Sequence, residues 1–505
     1  EERSLQQERN IKYNIARLNV RSDEAQDSKE IESIATEKAG YEIELARLQK
    51  ELEQNASFYK LKYDDSSPGV KELQEQLNGN QALISFYSTS DALHIFVLTR
   101  SSFGYARVDS LAALQHDLMD WLDLLKTAES GKKFRGRETG NHLYNRMIRP
   151  IMAIIPRQDE WIIVPDGLLY FLPFESLPAV EASEGGAAAE GTKTLLETTT
   201  ISYLFSSRFI IHERAHKASG NTGSSGILSF APFASAGSRN GGQAQMPAGI
   251  SSGNGGTGLG AQSPGSGLAA GTVGFSRLPA SREEIAGLKG MQYIDSAATK
   301  ERFLAEMNNY PIVHLATHAV SSVNNISESF VAFYPRRGED RLFLEELYGL
   351  DMSATKLVVI SACETGQGEL VRNEGVISLA RAFTYAGCES TINSLWKADD
   401  KATSFILRQF HVYLQKGYTK SKALQRAKLD YLNSDAINKS PAYWAHLILI
   451  GDTSPVYTAY SSYQWAGIGL VVVFFCLMIF VLIKGMIRMR QEKKKKSTSF
   501  TVPGF

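Results

Sequence analysis

The stretch Lys356-Leu-Val-Val-Ile-Ser-Ala-Cys363-Glu-Thr-Gly-Gln-Gly368 decides how the rest of this chain is read. Leu357 to Ile360 is a short, β-branched apolar run. It is too short for a helix, and its unbroken apolarity marks a strand covered on both faces, as in a parallel sheet. It ends in Ser361-Ala362-Cys363, after which Gly366 and Gly368 break the pattern with a flexible turn. Open α/β sheets place ligands and chemistry at the carboxyl ends of their strands, where this cysteine stands. Upstream, Pro311-Ile-Val-His-Leu-Ala-Thr-His318-Ala319 is a second apolar strand, and it ends in a histidine. Two neighbouring parallel strands of this kind deliver a base and a thiol to one sheet edge, as nucleophilic cysteine catalysis requires.

Most free cysteines are small buried hydrophobes, so Ser-Ala-Cys on its own says little. The strand–Cys turn and the matching strand–His turn together move the weight to the functional reading. The spacing of His314 and His318 would suit a metal on a helix. On a strand rising ~3.3 Å per residue they stand ~13 Å apart, too far to share one ion. His314, between Val313 and Leu315, reads instead as a hydrogen-bonded core histidine or a support behind the site. Neither a metal nor a cofactor is expected.

Several ordered segments resemble the CHAT family: His-Leu-Ala-Thr-His-Ala (314–319), Ser-Ala-Cys-Glu-Thr-Gly (361–366), Asn-Glu-Gly-Val-Ile-Ser-Leu-Ala-Arg-Ala-Phe (373–383), Ser-Leu-Trp-Lys-Ala-Asp-Asp (394–400) and Tyr-Trp-Ala-His-Leu-Ile-Leu-Ile-Gly-Asp (443–452). CHAT domains are caspase-like cysteine peptidase domains, related to separases and gingipains and often attached to tetratricopeptide helices. The resemblance spans roughly residues 80 to 453. It implies an α/β fold: a caspase-like three-layer sandwich with a mostly parallel central sheet in two lobes, the N-terminal one degenerate. It also implies His318 as base and Cys363 as nucleophile.

The chain has 505 residues, enough for two or three domains. Lys+Arg and Asp+Glu both number 54, so global charge points to no nucleic-acid partner. The three cysteines, Cys363, Cys388 and Cys476, make no disulfide framework. The chain starts without Met or signal peptide, which suggests a truncated or processed N-terminus. Residues 1–66 read as a helical segment, either a coiled coil or hairpin or the remnant of tetratricopeptide repeats, and as the place for a helical partner. The N-terminal lobe is expected over 80–233. Leu83–Tyr87 and Leu93–Leu98 form a hairpin there, and Asp166 caps backbone amides in a turn. Residues 234–276, rich in Gly and Ser, read as a disordered insertion, because they cannot bury enough surface to offset their ordering entropy. The catalytic lobe follows over 277–453, with helices at 281–290, 298–308, 342–348 and 376–385.

Trp465 to Ile483 carries no charge and is long enough for a ~30 Å hydrocarbon core at ~1.5 Å per residue. It reads as one transmembrane helix at 465–483, followed by a basic tail at 484–505. The positive-inside rule puts the tail in the cytoplasm and the main domain on the extracytoplasmic side. The alternative is a tail anchor with a cytoplasmic domain.

In the expected chemistry the Cys363 thiolate attacks a peptide carbonyl and His318 protonates the leaving amine. The backbone N–H groups of Ala319 and Cys363 are the candidate oxyanion donors. Ala319 stands where caspase-like enzymes often have glycine, and no residue marks itself as a third member of a triad. Asp399 and Asp400 are candidates to line a substrate pocket for Arg or Lys, and Glu364 is a third; capping of the following helix is the structural alternative for the aspartates. The leading expectation is a membrane-anchored cysteine endopeptidase acting on protein or peptide substrates. A catalytically silent CHAT scaffold for protein–protein interaction is the alternative, and acyl or thiol transfer by the same pair is a third reading.

Overall fold

The computed structural model describes residues 2–25, 27–53, 68–127, 134–155, 158–179, 193–211, 225–234, 275–320, 329–336, 340–361, 369–371, 375–377, 379–457 and 462–497. In chain order the strands are β1 (Gln81–Ser88), β2 (Ala92–Thr99), β3 (Phe103–Asp109), β4 (Glu160–Val164), β5 (Thr200–Tyr203), β6 (Ile227–Ala231), β7 (Gly290–Ile294), β8 (Ile312–Leu315), β9 (Ala319–Val320), β10 (Phe330–Ala332), β11 (Arg341–Phe343), β12 (Leu357–Ile360), β13 (Glu369–Val371), β14 (Gly375–Ile377), β15 (Ser390–Ser394) and β16 (Leu447–Gly451). Among the described residues, eleven of them make one sheet in the order β3-β2-β1-β4-β5-β16-β15-β12-β8-β6-β7. The pairs β3/β2, β2/β1 and β16/β15 are antiparallel, and the others are parallel. The fold is therefore mixed α/β with a large, mostly parallel sheet.

Period two along the strands explains why helices cover both faces. On β12, Leu357 and Val359 enter one apolar cluster while Val358 and Ile360 enter another. β8 divides in the same way, with Ile312 in the first cluster and Val313 and Leu315 in the second. The first cluster takes Leu118 and Trp121 from helix Leu111–Lys126, Phe410 from helix Asp400–Gln415 and Leu424 from helix Lys420–Asn433. The second takes Phe303, Leu347 and Phe383 from the helices Lys300–Glu306, Leu344–Tyr348 and Leu379–Tyr385. All four residues of β12 are 0% exposed, and each apolar side chain so buried contributes about 1.5–3 kcal/mol.

Helix Lys420–Asn433 is tied to β5 and the segments before it, near the middle of the sheet. The Lys428 ammonium donates to Glu175 Oε1 at 2.6 Å, and Tyr203 donates its hydroxyl proton to Glu175 Oε2 at 2.6 Å. One helical turn earlier, Gln425 donates to the carbonyls of Leu196 and Thr199. Burial pulls the Lys428 pKa down, against the pull of Glu175. Removing one partner of such a buried pair costs about 3–5 kcal/mol, because the other charge is left uncompensated.

Some elements differ from expectation. Residues 342–348 divide into a strand, Arg341–Phe343, and a short helix. The expected helix at 376–385 begins only at Leu379, since Gly375–Ile377 pairs with Glu369–Val371. β5 and β7 were not expected at all. Helices Glu2–Glu24 and Ser28–Glu53 form a hairpin, with Ile11 and Leu48 buried between them. It docks at Gly349, where an added Cβ would lie 2.6 Å from the Tyr13 Cα.

The membrane span expected at 465–483 is corrected. Among the described residues no helix is long and apolar enough to cross a membrane. Helix Ser462–Ser497 runs without a break into the basic Lys493–Lys496 stretch. The expected single-pass anchor, and the two topologies built on it, fall with that finding.

The core also holds ionisable groups. His314 on β8 places Nε2 2.5 Å from Glu284 Oε1 and Nδ1 2.8 Å from His411 Nε2. All three side chains are buried. Burial and the neighbouring His314 hold the His411 pKa well below its usual value, and burial brings that of His446 down to about 3. Both histidines bind fewer protons folded than unfolded. Their contribution to stability is complete above the unfolded pKa of ~6.5 and is lost as pH falls towards the folded values. Denaturant unfolding should show stability declining from pH 7 to pH 5, and less steeply in His446→Gln. A separate expectation is that Gly349→Ala forces the helix hairpin off the domain, seen as faster proteolysis of residues 2–53 with the sheet intact.

Candidate functional site

β8 and β12 are adjacent and parallel, with Leu357 opposite Ile312 and Ile360 opposite Leu315. The Ser361 N–H donates to the Leu315 carbonyl at 3.2 Å and carries the pairing to the strand ends. Cys363 and Glu364 lie outside the described residues. His318 is described, and its backbone is pinned on two sides. The Thr317 hydroxyl donates to the Ala332 carbonyl at 2.6 Å, and the Ala332 N–H donates to the His318 carbonyl at 2.8 Å.

The His318 ring is held just as firmly. Its Nε2 is 2.7 Å from the Ser276 carbonyl oxygen. A carbonyl only accepts, so Nε2 carries the proton, and in the neutral ring Nδ1 keeps the lone pair. Phe275 stacks on the ring at 5.6 Å and 19°, and Phe233 meets it at 5.2 Å. Burial by these neighbours lowers the His318 pKa; Lys397 acts the same way, while the Ser276 carbonyl and Asp400 oppose. The imidazole is therefore biased towards its neutral, base form near pH 7.

Ala319 stands opposite Val331 in the β9/β10 ladder. The bond from Ala332 N–H to the His318 carbonyl makes the neighbouring 318/332 pair the hydrogen-bonded one. The Ala319/Val331 pair is then of the non-hydrogen-bonded kind, and the Ala319 N–H points away from β10.

The two aspartates divide their work. Asp399 is the N-cap of helix Asp400–Gln415, its Oδ1 accepting from the Ala402 N–H at 2.9 Å. Asp400, the first helical residue, presents its carboxylate at the surface. Enough protein still surrounds it that burial raises its pKa, with Asp399 and Glu284 adding to the rise and Lys397 and His318 opposing it. Lys397, Asp400 and His318 thus form one electrostatic group beyond the end of β15.

Asp166 accepts a hydrogen bond from the Ser88 N–H at 2.6 Å, beside Gly167 at φ +57°, which is a structural role. Sequence reasoning missed Glu284, His411, Phe233, Phe275 and Ser276. For the two phenylalanines a signal existed: they are the aromatic residues flanking the Gly- and Ser-rich stretch. Ala234, Phe275 and Ser276, the described ends of the expected insertion at 234–276, are packed; residues 235–274 lie outside the described ones.

Comparison with known proteins gives remote likenesses. Tetratricopeptide repeat protein 28 of Homo sapiens is 28% identical over 211 residues, 34% of this chain and 8% of that protein. The chain thus spans only a small part of the length of the curated relative it matches. Saccharomyces cerevisiae separase, solved with securin, has a TM-score of 0.45 at 10% identity, covering 84% of this chain and 32% of that one. The Arg-specific cysteine proteinase gingipain R has a TM-score of 0.37 at 11% identity, covering 69% and 77%. The decisive match is to a family profile described as the CHAT domain, over residues 137–452. That is more than half of the sequence, and the chain belongs to the CHAT domain family.

Proposed function

We propose that this chain is a cysteine endopeptidase with a caspase-like catalytic half, in which Cys363 is the nucleophile and His318 the base. The observation that carries the reading is the β8/β12 register. His318 follows Leu315 by three residues, and Cys363 follows its partner Ile360 by the same three. Equal offsets from paired residues on adjacent parallel strands would bring both residues to one sheet edge. The His318 tautomer fits the role, since the lone pair on Nδ1 is the atom that would take the thiol proton. The thiolate forms a bond to the carbonyl carbon, and the negative charge that develops on oxygen is met by the N–H groups of Ala319 and Cys363. The proton held on His318 then passes to the leaving amine, and water releases the acyl group from sulfur.

The substrate preference proposed is for a basic side chain before the scissile bond, received by Asp400. Asp399 is committed to its cap and leaves that role to its neighbour. Glu364 remains a further candidate. A second reading, a catalytically silent scaffold, is favoured by the helix hairpin docked at Gly349 and by the similarity to a tetratricopeptide-containing protein.

An electrophilic peptide probe separates the two. Cys388 is a built-in control: it is buried, its thiol donates to the Ser390 carbonyl, and burial pushes its pKa up to about 12. Cys363 should be labelled far faster than Cys388, and His318→Ala should lower kcat/KM by roughly 10²–10⁴-fold. Equal labelling of the two cysteines, unaffected by His318→Ala, establishes the scaffold.

A second expectation concerns the aspartates. Asp400→Asn should reduce the preference for arginine peptides about ten- to a hundredfold, as expected for one charge-assisted hydrogen bond. It should also move the acid limb of kcat/KM to lower pH, because Asp400 stabilises the His318 imidazolium, whereas Lys397→Ala should move it up. Asp399→Ala should instead cost about 1 kcal/mol of stability and leave the preference unchanged. An arginine preference that survives Asp400→Asn removes Asp400 from the pocket.

A further inference from the structure

The insertion's two ends meet on the candidate base. The Leu278 N–H donates to the Phe233 carbonyl at 2.9 Å and closes the neck. Above that bond the rings of Phe233 and Phe275 pack together at 5.2 Å, and both contact His318. Phe275 is backed in turn by Phe330 at 6.0 Å, over which the Arg341 guanidinium sits at 5.0 Å. Ser276, the residue after Phe275, supplies the carbonyl that accepts from His318 Nε2. An imidazole just beyond a strand end would otherwise sample several rotamers. Here two rings and one hydrogen bond leave it a single orientation, and all three come from the same neck.

We propose that Phe233 and Phe275 are positioning residues for His318, so that the neck of the Gly- and Ser-rich insertion sets the orientation of the candidate base. The rings contact no reacting atom; they act through the imidazole. They exclude water from it, which agrees with the lowered His318 pKa. The charged groups acting on that ring are Lys397 and Asp400, at the end of β15 and the start of the next helix. Neither belongs to the neck, so changing a phenylalanine leaves the local charges in place and alters only packing and water access. Anything that draws the two stems apart unseats the ring from both sides. For its catalytic meaning the inference rests on the peptidase reading above; for its geometry it does not.

The test is ¹⁵N-histidine NMR on the full chain, which reports tautomer and titration midpoint whether or not peptides are cleaved. The wild type should show His318 protonated on Nε2, with a midpoint below ~6.5. Phe275→Ala should raise the midpoint towards that value and mix the two tautomers. Phe275→Leu, which keeps apolar volume but removes the ring, should have an intermediate effect and serves if the alanine variant does not fold. Phe343→Leu alters an aromatic residue that does not touch His318 and should leave the midpoint alone. With a cleaved peptide in hand, Phe275→Ala should lower kcat about ten- to a hundredfold at unchanged KM, the signature of a displaced base. An unchanged midpoint and tautomer in both folded Phe233→Ala and Phe275→Leu overturn the proposal. Shifted midpoints in a protein that cleaves no peptide keep the positioning role and remove the peptidase reading instead.

Discussion

β8 and β12 lie side by side in parallel with Ile312, Val313, His314 and Leu315 against Leu357, Val358, Val359 and Ile360, every one of them fully buried. A slip of one residue in this pairing would exchange the faces of the whole row. Val358 and Ile360 would leave the cluster built on Phe303 and Phe383, and His314 would lose Glu284 and His411. The register is thus fixed from both sides, by apolar packing and by a buried polar row. The residues just beyond each strand are fixed with it. His318 inherits its position from Leu315, and the β9/β10 ladder then orients the Ala319 N–H.

A buried row of Glu284, His314 and His411 is costly unless every member is paired. Glu284 accepts from His314 Nε2–H, so His314 Nδ1 accepts from the His411 Nε2–H, the two nitrogens 2.8 Å apart. The His411 Nδ1 is left without a partner. This arrangement joins helix Pro279–Ile285, β8 and helix Asp400–Gln415 through three side chains. The first of those helices begins directly after the neck of the insertion, and the last begins with Asp400. The candidate base thus lies just beyond β8, Phe275 shortly before the first of these helices, and Asp400 at the start of the last.

The parts of this fold written in local pattern were legible in the sequence. Leu357–Ile360 declared a doubly covered strand because its β-branched run is unbroken, and the β1/β2 hairpin because two runs rich in β-branched and aromatic residues flank the polar turn at 88–91. Thr200–Tyr203 and Gly290–Ile294 gave no such signal: each is short, and their composition mixes polar and apolar residues. The tail failed for another reason. Its apolarity over 465–483 looks like a unit, yet among the described residues no helix is long and apolar enough to cross a membrane. At the site, His318 was legible because it ends a strand. Glu284 and His411 were not, since they stand 30 and 97 residues from His314 in sequence and only folding brings them to it.

The difference between Asp399 and Asp400 shows how adjacent identical residues come to differ. Both stand at the start of one helix, where a carboxylate meets unsatisfied N–H groups and the positive end of the helix dipole. Asp399 has the extended backbone of a cap, with φ −67° and ψ 124°, and its side chain turns back to Ala402. Spending its acceptor there relieves the helix terminus and leaves it little freedom to meet anything else. Asp400 is inside the helix, so its side chain projects outward rather than back onto the amides, and it falls under the influence of Lys397, Glu284 and His318. A cap is paired by its own backbone whatever the rest of the protein does. A carboxylate whose pKa is raised by its surroundings still has electrostatic work to gain from a cation.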